Sequence, residues 1–224
     1  MRAGFLFKKI ILWIIILFFF MACVIGAFCR LYVKKVDLKT SFHFLVSEEK
    51  SVEAGAEFIK LEGGAGYILR YENKDYAVLS VYLSQEDASS VQEVLSLQNR
   101  QTQLISVSAP ILCFFGKKQC KKENVYVGAL RTLYACLTVL EETVSKLEKG
   151  MTQEKSKGIL AGLKKQLSYM SEVYADGYPA FSVLCEDLAG KLPTDKESVI
   201  YASRLRYLQC EAVDGYLNVT KEFS

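Results

Sequence analysis

The sequence predicts an α+β protein with an N-terminal transmembrane helix, a small βαββαβ sheet domain and a C-terminal antiparallel helical bundle. Three observations support this class. An uncharged apolar run lies near the N-terminus, short strand and helix signals alternate over residues 41–109, and mainly helical patterns follow Pro110. The chain has 224 residues, enough for one or two small domains.

The apolar run covers residues 10–29 and reads IILWIIILFFFMACVIGAFC, with no charge and no proline. At about 1.5 Å per residue its length is roughly 30 Å, the thickness of the hydrocarbon core of a bilayer. The apolar part of a cleaved signal peptide spans about 7–15 residues and ends in small residues. Because this run is longer and its end does not resemble the small residues of a cleavage site, an uncleaved signal anchor is the better interpretation. A lipoprotein-like end at Cys23 is the alternative, although apolar residues continue past it.

The distribution of charge indicates how the chain is oriented in the membrane and argues against nucleic acid as a partner. Residues 1–9 form a short basic tail, but Arg30, Lys34 and Lys35 follow the run, so the positive-inside bias is slight. A basic tail before a first apolar helix favours a cytoplasmic N-terminus and a single-pass cell-membrane protein with most of the chain extracytoplasmic. Residues beyond Lys35 carry 22 basic and 25 acidic side chains. This mildly acidic body argues against nucleic acid as a partner, since phosphate binding needs clustered positive charge.

Local signals over residues 41–109 give the order β-α-β-β-α-β. Glycines follow the first helix, ENK forms a polar hairpin turn, and Ser84 with Asp87 resembles a capping box. Right-handed crossovers then produce a four-stranded antiparallel sheet with both helices on one face. The other face is expected to be free for a ligand or partner. The predicted strands are 41–47, 66–71, 75–83 and 102–109, and the predicted helices are 51–64 and 84–98.

Residues 124–224 show leucine-rich seams at alternating steps of three and four, which predict amphipathic helices joined by short links. Gly150 ends the first helix, and Pro179 either kinks the second helix or starts a new one. The seams are expected to form the core of the bundle, and the alternative is that one face docks a partner helix. Segments 30–40 and 110–123 are interpreted as linkers. The seam residues are Leu130, Leu133, Leu137, Leu140, Val144, Leu147, Leu160, Leu163, Leu167, Met170, Tyr174, Phe181, Leu184, Leu188, Tyr201, Leu205, Leu208 and Ala212.

The stretch FHFLVSEEKSVEAGAEFIKLEGGAGYILRYENKDYAVLSVYLSQEDASSVQEVL resembles a SPOR domain, the sporulation and cell-division module of bacteria. The similarity lies in the opening strand, the helix with small residues, the glycine before a strand in GGAGYIL, and the acidic SQEDA helix start. It covers about 70 residues, and the order of elements is shared with other ferredoxin-like modules. The insertion LVSEEK departs from the usual first strand of the family. The resemblance implies non-catalytic binding of peptidoglycan glycan strands on the open face of the sheet.

Tyr76, Ser80 and Tyr82 are the predicted glycan-binding residues. In a regular strand they share one face, opposite Ala77, Leu79 and Val81. Tyrosine rings stack on sugar C–H groups while hydroxyls donate and accept hydrogen bonds. The alternative is an alternation offset by one residue, which exchanges the two faces.

No other residue predicts chemistry strongly. His43 is the only histidine and is interpreted as a surface or edge-strand residue, and the adjacent Glu48 and Glu49 as a solvated loop. Without a hydrolase, zinc or P-loop motif, no catalytic residue, metal or cofactor is expected. Cys136 and Cys210 are expected to be buried thiols, and Cys113 and Cys120 could pair across a loop.

These observations predict a membrane-anchored, non-enzymatic cell-envelope protein that binds peptidoglycan and acts in cell division or sporulation. The alternative is a tethered scaffold whose sheet domain no longer binds glycan and whose bundle recruits an envelope protein.

Overall fold

The computed structural model describes residues 14–15, 17–24, 33–47, 51–194 and 199–224. It confirms the α+β class, with antiparallel sheets in the N-terminal region followed by four helices. The strands are β1 Val33–Val36, β2 Ser41–Ser47, β3 Tyr67–Tyr71, β4 Lys74–Tyr82, β5 Thr102–Ser108 and β6 Leu112–Phe115. The helices are α1 Val52–Leu61, α2 Gln85–Leu97, α3 Gly116–Glu148, α4 Gln153–Tyr174, α5 Pro179–Lys191 and α6 Ala202–Thr220, with a final 3₁₀ turn at Lys221–Phe223.

The predicted transmembrane segment 10–29 lies partly outside the described residues. Its described part, residues 14–15 and 17–24, is helical. Within the part of the chain that is described, no helix combines the length and the apolar character needed to cross a bilayer. The anchor therefore stays a prediction.

The predicted βαββαβ unit is confirmed as a four-stranded antiparallel sheet in the order β3-β4-β2-β5. Two local features of the chain fix the hairpin turn and the start of the second helix in this unit. Glu72 and Asn73 both have positive φ, at 49° and 62°, as the two-residue hairpin turn between β3 and β4 requires. Ser84 accepts a hydrogen bond from the Asp87 amide at 3.4 Å and so caps α2.

A second, two-stranded sheet was missed in the sequence. β1 pairs antiparallel with β6, with Val33 opposite Phe115 and Val36 opposite Leu112. The segments interpreted as linkers, 30–40 and 110–123, thus contain two strands, and α3 begins at Gly116 rather than after residue 123. Each strand has only four residues and its partner is far away in the sequence, so neither gives a clear local signal.

The bundle seams are buried as predicted over most of their length. Leu130, Leu133 and Leu160 are completely buried, whereas Tyr201 is exposed because α6 begins one residue later. Gly150 reverses the chain after α3 with a φ of +91°. The Tyr178 hydroxyl, just after α4, donates to the Lys122 carbonyl near the start of α3 at 3.1 Å, so α3 and α4 run antiparallel.

The second face of the four-stranded sheet is covered, which contradicts the prediction that it is free. Phe42, Phe44 and Val46 on β2 belong to one buried cluster with residues from all four bundle helices. The Phe42 ring lies 6.1 Å from the Tyr134 ring of α3 and 5.3 Å from the Tyr216 ring of α6, between ring centroids. The sheet therefore lies between α1 and α2 on one side and the bundle on the other.

Candidate ligand site at the junction of sheet and bundle

A β-bulge separates the three predicted glycan-binding residues. Leu45 pairs with Ser80, but the next residue, Val46, pairs with Val78, so β4 carries one extra residue at Leu79. Beyond the bulge the alternation of faces is reversed. The prediction that Tyr76, Ser80 and Tyr82 share one open face is therefore wrong.

Tyr76 lies on the bundle side of the sheet. It shares the face of Val78, which is completely buried in the common cluster, and it packs against that cluster itself. Its ring is thus part of the wall between sheet and bundle rather than a platform for a sugar. Ser80 lies on the opposite face, together with its partner Leu45, and is buried.

Ser80 and Tyr82 instead line a cavity of about 490 Å³ at the edge of the sheet. Its walls come from the end of β4, the first two turns of α2, the C-terminal part of α3 and α6. Burial raises the pKa of the Tyr82 phenol, and its hydrogen bond with Ser80 opposes that shift. The two hydroxyl groups predicted to meet a ligand are therefore neighbours in a recess, without Tyr76.

Hydrogen bonds between sheet and bundle fix the shape of this cavity. Glu141 of α3 accepts from the Leu83 amide at 3.1 Å, and Gln209 of α6 donates to the Val81 carbonyl at 3.1 Å. Arg206 of α6 forms an ion pair with Glu148 and donates to the Gly63 carbonyl. These contacts join α3 and α6 to each other, to β4 with the residue after it, and to the turn after α1.

The electrostatics of the cavity suit a neutral polar ligand. Burial raises the pKa of Glu141, although the hydrogen bond from Leu83 opposes it. The lining has both acidic and basic groups, among them Asp87, Glu142 and Lys149, beside the hydroxyls of Ser80, Ser90 and Tyr82. This combination can accept and donate hydrogen bonds to hydroxyl groups, but it holds no nucleophile paired with a base.

His43 is not the surface or edge-strand residue that the sequence suggested. It lies on β2, a central strand, is 6% exposed, and its Nδ1 is 2.8 Å from the Ser106 hydroxyl. Burial lowers its pKa. Glu48 and Glu49, interpreted as a solvated loop, lie outside the described residues.

The cysteines are thiols rather than disulfides in the described part of the chain. Cys120 Sγ donates to the Phe114 carbonyl at 3.3 Å and Cys113 Sγ contacts the Ile111 carbonyl, so the two do not pair. Burial raises the pKa of Cys136 to about 11 and that of Cys185 to about 12, which keeps both thiols protonated. The described residues contain no group of three or more acidic, histidine or cysteine side chains that could hold a metal ion.

The comparisons give no relative. The chain matches no protein-family model, no curated protein and no solved structure.

Proposed function

We propose that the protein is a membrane-anchored, non-catalytic interaction protein in which the βαββαβ region and the bundle act as one rigid unit. The supporting observation is the buried cluster that includes Phe42, Val78, Leu133 and Tyr216 and extends from the sheet into the bundle. A sheet used in this way is a structural support for the helices. Binding is then left to the outer surface of the unit.

The outer surface of the bundle offers apolar side chains to a protein partner. Tyr169 and Val173 lie one turn apart on α4 and are 60% and 53% exposed, and Val183 on α5 is 62% exposed. Exposed apolar side chains that form one contiguous patch are typical of surfaces that pack against another protein. The partner in this proposal is another protein of the cell envelope.

The cellular setting rests on the N-terminal sequence and on the SPOR resemblance. The apolar run 10–29 is long enough to span a bilayer, and β1 begins four residues after it. The proposed location is the cell membrane, with one span, a cytoplasmic N-terminus and the folded unit outside. The SPOR-like order of elements supports a role in division or sporulation, whereas the covered sheet face departs from how that family holds glycan.

A second candidate function is binding of a short saccharide in the cavity beside Ser80 and Tyr82. The observation that favours it is the adjacency of these two hydroxyls in a recess of about 490 Å³. Sugar hydroxyls need several donors and acceptors, which the walls contain. In this second candidate function the protein binds the end or a short segment of a glycan chain, because the bundle covers the sheet face on which a longer chain would lie.

Sedimentation with peptide-stripped cell-wall sacculi separates the two functions. The full chain in nonionic detergent is mixed with sacculi, together with Tyr82→Phe, Ser80→Ala and, as a matched control, Tyr76→Phe. The interaction-protein proposal predicts that the wild-type chain stays in the supernatant. Retention that is lost in Tyr82→Phe and Ser80→Ala, but not in Tyr76→Phe, would replace it with the second candidate.

A further inference from the structure

The first two turns of α3 carry an exposed face of four lysines. Lys117, Lys118, Lys121 and Lys122 are all exposed and recur at the spacing of one helix face. We name these four residues the lysine face. On the other side of the same turns Cys120 is half-buried and Glu123 is buried, and Tyr126 continues this buried side in the next turn.

The lysine face is not explained by the stability of α3. Positive side chains near a helix N-terminus are unfavourable because the helix dipole is positive there. α3 also has no acidic residue in its first turn and no side-chain cap, whereas α1, α2 and α4 are capped by Ser51, Ser84 and Thr152. Lys118 and Lys121 therefore lie in the unfavourable field of the helix end, which an approaching anion would relieve.

The second sheet brings the lysine face close to β1, the first described strand after the predicted membrane span. Val33 of β1 pairs with Phe115, the residue just before α3. Val33 is four residues after Cys29, where the predicted span ends, and four residues reach at most about 14 Å. An ion pair between Lys34 and Glu123 further joins β1 to α3.

Two exposed apolar side chains border the lysines. Phe115 is 59% exposed at the start of the helix, and Val125 is 52% exposed at i+4 from Lys121. Basic side chains interspersed with exposed apolar ones are typical of surfaces that lie on a lipid headgroup layer. The rest of the chain beyond Lys35 is mildly acidic, so this basic corner contrasts with its surroundings.

We infer that the lysine face binds the phosphate headgroups of anionic lipids in the same bilayer that anchors the chain. This contact holds the β1–β6 corner against the membrane and fixes the direction in which the folded unit extends from it. The inference rests on the proposed membrane anchor for the position of the corner.

The test uses the full chain with nanodiscs of phosphatidylcholine alone or with one third phosphatidylglycerol. Lysine acetylation by a water-soluble reagent is followed residue by residue with mass spectrometry. We expect acetylation of Lys118 and Lys121 to slow about fivefold with the anionic lipid, the factor that corresponds to the usual attraction per lysine. Lys155 and Lys165 on α4 should react equally in both discs, and high salt should abolish the difference.

Charge reversal provides the matched variants. Lys118→Glu/Lys121→Glu is expected to remove the lipid-dependent slowing at Lys117 and Lys122, while Lys155→Glu/Lys165→Glu keeps it. The first variant places acidic groups at a helix N-terminus, so loss of folding does not account for the result. Circular dichroism of both variants checks this.

The outcomes distinguish the lysine face from the anchor. A chain retained in both kinds of disc without lipid-dependent slowing would overturn the lipid contact and leave the anchor intact. If the chain is retained only in discs that contain phosphatidylglycerol, the lipid contact of the lysine face is supported and the membrane anchor is overturned. If the chain is retained in neither kind of disc, both proposals are overturned. If soluble polyphosphate slows acetylation of Lys118 and Lys121 in neutral discs as much as the anionic lipid does, the partner of the lysine face is a soluble polyanion instead of lipid.

Discussion

Replacing Phe42 by alanine tests whether the sheet and the bundle share one core. Phe42 is completely buried and its ring contacts Tyr134 of α3 and Tyr216 of α6. Truncation of a buried phenylalanine to alanine costs about 3–5 kcal/mol, because apolar contact is lost and a cavity remains. Each aromatic pair adds about 0.5–1.5 kcal/mol beyond its buried area. We therefore expect Phe42→Ala to lower the free energy of unfolding by about 4 kcal/mol or more.

The assay is urea unfolding of the full chain in nonionic detergent, followed by circular dichroism and by tyrosine fluorescence. One transition with coincident probes is expected for the wild-type chain, since a shared core unfolds cooperatively. Ile68→Ala on β3, where the side chain is 43% exposed, is the control and should cost less than about 1 kcal/mol. A Phe42→Ala loss as small as that of Ile68→Ala, or separate transitions of strands and helices, would refute the shared core.

Three further predictions concern local features. Gly66→Ala should destabilise the protein more than Gly63→Ala, as measured by the urea midpoint. Both glycines have positive φ, but only at Gly66 would the new Cβ meet a backbone atom, the Ala56 carbonyl oxygen at 2.6 Å. Equal losses would contradict this. Burial lowers the pKa of His43 in the folded chain, whereas in the unfolded chain the imidazole keeps its ordinary pKa of about 6.5. As the pH drops below about 6.5, the unfolded chain binds a proton more readily than the folded chain, so the free energy of unfolding should fall. His43→Gln should weaken that dependence between pH 7.5 and 5.5, and an unchanged pH profile would speak against it. Lys118→Glu should raise the thermal midpoint through about 0.3–1 kcal/mol of favourable dipole interaction at the start of α3, and a lowered midpoint would be inconsistent with this.

The sequence predicted those elements that local chemistry determines. The two turn residues Glu72 and Asn73, the Ser84 cap and Gly150 act within a few residues, and the elements beside them lie where the patterns placed them. The bundle seams could also be predicted, because the residues buried on one helix face recur every three or four positions in the sequence. The pairing of β1 with β6 could not be predicted from the sequence, since each four-residue strand is stabilised by residues between 76 and 82 positions away.

The candidate site could be predicted only in part. The assignment of Tyr76, Ser80 and Tyr82 to one face assumed a regular strand, and the bulge at Leu79 violates that assumption. One signal pointed to a covered sheet: β2 reads FHFLV, with apolar residues on both faces, as in strands buried on both sides. A central strand of an open sheet would instead alternate apolar with polar residues along its length.

The most direct measurement of the central claim is a nuclear Overhauser experiment on the aromatic rings of the full chain in micelles. The shared core places the Phe42 and Tyr216 rings with their centroids 5.3 Å apart, so cross-peaks between their ring protons are predicted. Their loss in Phe42→Leu would assign them. A well-resolved spectrum in which Phe42 shows contacts only to strand residues, and none to Tyr216 or Tyr134, would contradict the account.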